Sequence, residues 1–273
     1  MVAFPPAKIN LGLRITHKRA DGYHALESIF YPIGLCDVLE IIVAESNQKV
    51  PVRFIPSGLE VDGNPHNNLV LKAIRLFDSY CNLPPLEVYL HKVIPMGAGL
   101  GGGSSDAAWT LRLLNQLMNK PLSFERLLEM AAALGSDCPF FMYDSACKVQ
   151  GRGELLEPFE LNLRGIYLVL INPGVHVSTS TAFGMIQPHK PEEDLFELIK
   201  LPISEWQGRV VNDFERPVSQ KYSEVAAALE ELKEKGAIYS AMSGSGSTVF
   251  GFFTQPPEFK NVPEHWLLFV QQL

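Results

Sequence analysis

Apolar and polar positions alternate strictly from residue 8 to residue 15. Ile9, Leu11, Leu13 and Ile15 fall on one face, and Lys8, Asn10, Gly12 and Arg14 on the other. A period of two predicts a half-buried strand. A polar turn, His17 to Gly22, separates it from strand-like apolar segments at 26–33 and 38–43. Asn67 or Asn68 stands where a helix N-cap is expected, ahead of an apolar stripe of Leu69, Ala73, Ile74 and Phe77. Val88, Leu90 and Ile94 mark another strand, which Pro95 ends. A glycine-rich turn, Gly97 to Gly103, then opens onto a helix beginning near Ser104, with Ala107, Ala108, Leu111, Leu114 and Met118 on its inner face. Ser123 is placed to cap the next helix, and Gly135 to end it at positive φ.

Downstream the mixed pattern continues. A strand is expected at 166–171, followed by an Asn-Pro-Gly turn and by helices around Glu193 to Lys200 and Glu224 to Lys235. A second glycine-rich turn, Ser243 to Gly246, leads into a strand at 248–253. Strands and helices mixed without strict βαβ alternation predict an α+β fold. The length of 273 residues suits one large domain or two ordinary ones, and a division near residue 155, into 1–155 and 156–273, is expected without a flexible linker to mark it.

Composition narrows the function classes. Apolar residues make up 47% and charged residues 19%, the mix of a packed globular chain. The net charge of −7 argues against bulk nucleic-acid binding, yet leaves room for a small anionic ligand held by a helix terminus and one or two lysines. Two prolines and an early lysine in residues 1–10 give no signal peptide. No run approaches the roughly 18 apolar residues of a membrane span. A soluble, cytoplasmic protein is expected. Cys36, Cys81, Cys138 and Cys147 form no C-x-x-C pair and read as reduced intracellular thiols. The seven histidines (17, 24, 66, 91, 176, 189 and 265) are scattered, so no metal site made by side chains alone is expected.

The segment Pro95-Met96-Gly97-Ala98-Gly99-Leu100-Gly101-Gly102-Gly103-Ser104-Ser105-Asp106-Ala107-Ala108 carries the strongest chemical signal. Without Cβ atoms its backbone can approach a ligand and aim successive N–H groups at it, and the helix that follows adds its positive end. Those features suit a nucleotide triphosphate. The Walker pattern fails, because no lysine precedes Ser104. Gly97, Gly99 and Gly102 match G-x-G-x-x-G, but the region 120–134 reads as turn and helix where a dinucleotide site needs a second strand ending in an acid.

Residues 95–108 resemble the phosphate loop of the GHMP kinase superfamily, and further segments resemble its diphosphocytidyl-methylerythritol kinases. Those segments are 7–11, Arg19-Ala20-Asp21-Gly22-Tyr23-His24, 135–141, Gly151-Arg152-Gly153-Glu154, Asn172-Pro173-Gly174, Asn212-Asp213-Phe214-Glu215 and 242–247, in order along most of the chain. The resemblance implies a two-domain α+β fold, ribosomal-protein-like in its N-terminal part and ferredoxin-like in its C-terminal part. It implies phosphorylation of an alcohol by ATP, with Mg²⁺ carried on the phosphates, and small-molecule partners rather than nucleic acid or membrane.

Residue by residue, Asp137 matches the catalytic base and Lys8 the lysine paired with it. Lys92, Asn68, Ser104 and Ser105 match ATP-side positions. Asn10, Tyr23, His24 and Phe183 match the side that holds the cytidine conjugate, with His24 bonding the base and Phe183 over the pyrimidine. Core packing is the competing account of Phe183, and helix capping that of Asn68. Ser136 and Cys138 replace the small apolar neighbours common around this aspartate, and Cys138 is expected to be buried and inert. Three rivals remain: another kinase of the superfamily, an RNA-binding module and a nicotinamide enzyme. The Tyr23-His24 segment, the acidic charge and the missing second strand speak against them in turn.

Overall fold

The computed structural model describes residues 1–44, 51–60, 67–260 and 262–273; His66 lies outside them. The elements mix strands and helices as an α+β fold does. Two compact units share the chain discontinuously. The first comprises 1–7, 34–96 and 101–144, and the second 8–33, 97–100 and 145–273.

In the first unit, β1 (Val2–Ala3), β4 (Val38–Val43), β6 (Leu86–Lys92) and β5 (Val52–Gly58) form a sheet in that order. β5 runs parallel to β6 and the other pairs are antiparallel. Among the described residues, the α-helices here are α1 (Leu69–Asp78), α2 (Gly102–Leu117) and α3 (Phe124–Leu134). Asn68 caps α1 by accepting from the Val70 amide, and Val70, Ala73, Ile74 and Phe77 are its buried face. Ser123 caps α3 through the Arg126 amide. Gly135 does end α3, but at φ 173, an extended backbone that needs no glycine, and not at the positive φ the sequence suggested. α2 starts two residues earlier than the pattern indicated.

The second unit holds a sheet ordered β10 (Tyr239–Met242), β11 (Val249–Phe253), β9 (Tyr167–Asn172), β12 (Leu267–Gln272), all antiparallel. α7 (Ser223–Glu234) packs on β10 and β11. A third sheet, β2 (Pro6–Lys18), β3 (His24–Cys36), β7 (Cys147–Gln150), β8 (Leu155–Pro158), lies mostly in this unit. One core gathers Leu13 and Ile15 of β2, Val169 and Ile171 of β9, and Val225, Ala228 and Leu232 of α7.

β2 departs from the half-buried strand its alternation implies. Its apolar face is buried, but so are Lys8, Asn10 and Arg14 on the polar face. Burying polar groups is tolerable only when they are hydrogen-bonded, and these are. Arg14 donates to the carbonyls of Glu193 and Arg209 at 2.5 and 2.9 Å. Among the described residues, no helix is long and apolar enough to cross a membrane.

Candidate active site

In the second unit, the polar face of β2 begins a network. The Lys8 ammonium donates to Asn10 Oδ1 at 2.5 Å and lies 4.4 Å from the centre of the Phe30 ring. Asn10 Nδ2 donates to Ser28 Oγ on β3 at 3.0 Å, and that hydroxyl donates to Gly12 O at 2.6 Å. The Asn10 amide donates to Ser243 Oγ, whose own proton goes to Gly99 O at 2.9 Å. Lys8 N also donates to Leu100 O. The strand end that carries Lys8 and Asn10 is thereby tied to residues 99–100 of the first glycine turn and to Ser243 of the second.

The two glycine turns touch. Thr248 N donates to Ala98 O, and a Cβ on Gly99 would stand 2.0 Å from Ser243 O. Asn212 fixes the second turn from behind, its Nδ2 donating to Met242 O and Gly244 O at 2.7 and 2.8 Å. Asn172 Nδ2 donates to Thr248 Oγ1 and so ties the Asn-Pro-Gly turn to the same region. Sequence reading singled out both glycine turns without joining them. Their partnership is long-range and leaves no local signature.

The aromatic group forms at the start of β3. His24 stacks on Phe183, the last residue of α4 (Thr179–Phe183), with centroids 5.2 Å apart and planes at 26°. Phe183 also meets Phe214 edge-on at 4.9 Å. It is therefore both a packing residue and half of an aromatic pair. Tyr23 is 58% exposed, and the Arg152 guanidinium lies 4.9 Å from its ring centre. Sequence analysis quoted Arg152 within a family segment but gave it no role.

In the first unit, Gly101 takes a left-handed φ of 72° and stands as N-cap of α2 with no side chain to offer. No acidic residue lies in the first turn of that helix. The leading N–H groups of a helix have no intrahelical acceptor, and here no side chain caps them. Ser104 hydrogen-bonds the Cys138 thiol, which is buried, and burial pushes it up to about 12, which disfavours the thiolate. Ser105 Oγ is buried with no hydrogen-bond partner. Asp137 begins the 3₁₀ helix Cys138–Met142, and its carboxylate does not cap that helix.

Lys92, at the end of β6, is 2% exposed. Its ammonium contacts Asp37 Oδ2 and lies 2.8 Å from Asp106 Oδ2. Asp37 Oδ1 accepts the amides of Val93 and Ile94 at 2.6 and 2.9 Å. Burial raises the Asp106 carboxyl to about 7; Lys92 pulls it down and Asp37 pushes it further up. From sequence, Asp106 stands within the glycine-rich segment without a role, and Asp37, 55 residues from Lys92, carries no motif.

Comparison with known proteins identifies the family. The family model described as GHMP kinases N terminal domain matches residues 68–145, and that described as GHMP kinases C terminal matches 195–267. The chain is 52% identical over 261 residues to the 4-diphosphocytidyl-2-C-methyl-D-erythritol kinase of Bacteroides fragilis, covering 95% of this chain and 94% of that one. Its counterpart in Parabacteroides distasonis is 46% identical, with coverage of 95% and 94%. A crystal structure of 4-(cytidine 5'-diphospho)-2C-methyl-D-erythritol kinase superposes with a TM-score of 0.79 at 31% identity, covering 92% of this chain and 89% of that one. Methanococcus jannaschii mevalonate kinase, at 13% identity and a TM-score of 0.71 over 100% and 98% of the two chains, shares the fold.

Proposed function

The chain belongs to the 4-diphosphocytidyl-2-C-methyl-D-erythritol kinases of the GHMP kinase family and is a small-molecule kinase; from that premise we propose that it transfers the γ-phosphoryl group of ATP to the 2-hydroxyl of 4-diphosphocytidyl-2-C-methyl-D-erythritol. The products are the 2-phosphate and ADP, within the non-mevalonate route to isoprenoid precursors. The observation that carries this reading is the uncapped N-terminus of α2 at the exit of the glycine turn, where amides and no acid await an anion.

Phosphoryl transfer asks the protein mainly for positioning and for charge opposite the transferring group. Residues 95–105 cradle the phosphates with backbone amides and the hydroxyls of Ser104 and Ser105. The unpartnered Ser105 hydroxyl supports that role. Lys92 contributes on the ATP side from its buried place beneath the loop, where Asp37 and Asp106 offset its charge, and Asn68 contributes on the nucleotide side while capping α1. Asp137 takes or orients the proton of the attacking hydroxyl. Lys8 offsets negative charge that builds during transfer. Asn10 bonds the polyol, and Tyr23, His24 and Phe183 hold the cytidine.

No group of three or more His, Cys, Asp or Glu side chains able to hold a metal lies among the described residues. The amides and hydroxyls at the α2 start suit phosphate oxygens. Mg²⁺ would arrive on the ATP phosphates, retaining several waters and lowering their charge. Residues 1–155 and 156–273 are proposed as the two functional domains; the family matches fall on either side of that division. We place the enzyme in the cytoplasm, acting on small molecules alone.

A substrate panel with coupled detection of ADP tests the proposal. Turnover with the cytidine conjugate, and none with homoserine, mevalonate or galactose, is the expected result. Preferential turnover of any of those three would overturn it.

A further inference from the structure

Both ends of the glycine turn are fastened at one buried point in the first unit. On the entry side, the amides of Val93 and Ile94 donate to Asp37 Oδ1. On the exit side, Asp106, the fifth residue of α2, presents Oδ2 to the Lys92 ammonium at 2.8 Å. Lys92 also contacts Asp37 Oδ2, which completes the link from entry to exit. The three side chains are 0–3% exposed, so water does not compete for these bonds. A Cβ added at Gly102 would lie 3.3 Å from Lys92 Nζ, which puts the ammonium directly under the first turn of α2.

We infer that Asp37, Lys92 and Asp106 form a clasp that sets the span of the glycine turn and aims the first amides of α2, making Asp106 and Asp37 positioning residues for nucleotide binding. Two carboxylates around one ammonium are an unusual choice for stability alone, since a single pair would neutralise the charge with less desolvation. The third group is explained if the purpose is to join two chain segments, because one lysine then needs an acceptor on each side. Among the described residues, Asp106 Oδ1 is buried without a hydrogen-bond partner, while Oδ2 accepts from Lys92. The groups that face Asp106 electrostatically are Lys92 at the end of β6 and Asp37 between β3 and β4.

This inference rests on the reading of the turn as the ATP site, and the test separates the two. Three variants are compared: Asp106→Ala and Asp106→Leu, which lose the acceptor, and Asp106→Asn, which keeps an oxygen for Lys92. The Ala and Leu variants should raise the KM for ATP about tenfold, the equivalent of one charge-assisted hydrogen bond, with the KM for the conjugate changing less than about twofold. Asn should recover most of the ATP affinity. If Leu, which fills the space, behaves as wild type, the residue acts by packing and the clasp is overturned.

Amide hydrogen exchange at 101–105 without nucleotide supplies a readout independent of catalysis. Faster exchange in the Ala and Leu variants but not in Asn supports the clasp. That result together with no ATP binding by the wild-type protein would leave the clasp standing and remove the ATP reading. Unchanged exchange in all three variants would overturn the clasp.

Discussion

The imidazole of His24 and the phenyl ring of Phe183 stack at 5.2 Å, too close for a third ring to enter between them. An inserted base would need about 7 Å, twice the ~3.5 Å contact distance of carbon atoms. A pyrimidine must then bond the edge of His24, or lie on an outer face of the pair. His24→Ala is expected to raise the KM for the cytidine conjugate about tenfold and leave that for ATP nearly unchanged. His24→Phe preserves a ring but no nitrogen. If hydrogen bonding dominates it will resemble Ala in steady-state assays, and equal weakening of both substrates would remove His24 from the cytidine side.

The Asp106 carboxyl has a second, thermodynamic consequence. Burial raises it to about 7 from an ordinary 3.8, so the folded protein holds a proton there that the unfolded chain has released. The sign follows directly. This contribution to stability is complete below the unfolded value and is lost as pH rises through 7. Asp106→Asn does not titrate, so its melting temperature should gain on that of the wild type between pH 6 and pH 8, by about 2–4 °C. Thermal melts across that range decide the matter. A wild-type advantage that grows with pH would mean that Asp106 is stabilised in its charged form.

What the sequence made legible follows the range of the interactions. Caps and helix faces are local, so Asn68, Ser123 and the inner face of α2 could be read directly, and α2 began within two residues of its expected start. The period of β2 was equally plain. Its burial was not, because the Asn10 amide finds its partner Ser243 233 residues away. Edge strands were missed for a related reason. β5 and β12 stand at sheet edges with much of their surface exposed, so neither shows the apolar-polar alternation of a half-buried strand, and the apolar run Leu267–Val270 of β12 stays largely exposed. Lys92 reads as an accessible lysine beside a phosphate loop until Asp37 and Asp106 appear around it.

Asp137 tests the chemical step itself. Asp137→Asn keeps the size and one acceptor oxygen but removes the base, and should lower kcat by about 10²–10⁴-fold. The KM for ATP should stay within about twofold. Single-turnover measurements at saturating ATP and conjugate isolate this step from product release. Turnover at the wild-type rate would show that the residue is not the base.

Gly99 and Gly103 make a paired test of whether the turn serves a ligand or only the fold. At Gly99 the backbone has φ +79, and a Cβ would stand 2.0 Å from Ser243 O, so alanine there forces the two glycine turns apart. Gly99→Ala should destabilise the protein by about 2 kcal/mol or more, seen as a lower denaturant midpoint. Gly103 is different. Its Cβ would find only Leu69 Cδ1, at 3.9 Å, and it sits in the first turn of α2, where alanine favours the helix by up to about 1 kcal/mol. Gly103→Ala should therefore keep or raise the melting temperature. It should nonetheless weaken ATP binding, because the methyl group occupies the space through which phosphate reaches the amides. An intact fold with unaltered ATP affinity in Gly103→Ala would mean that no phosphate approaches the backbone there, and the nucleotide would have to be sought at another part of the turn.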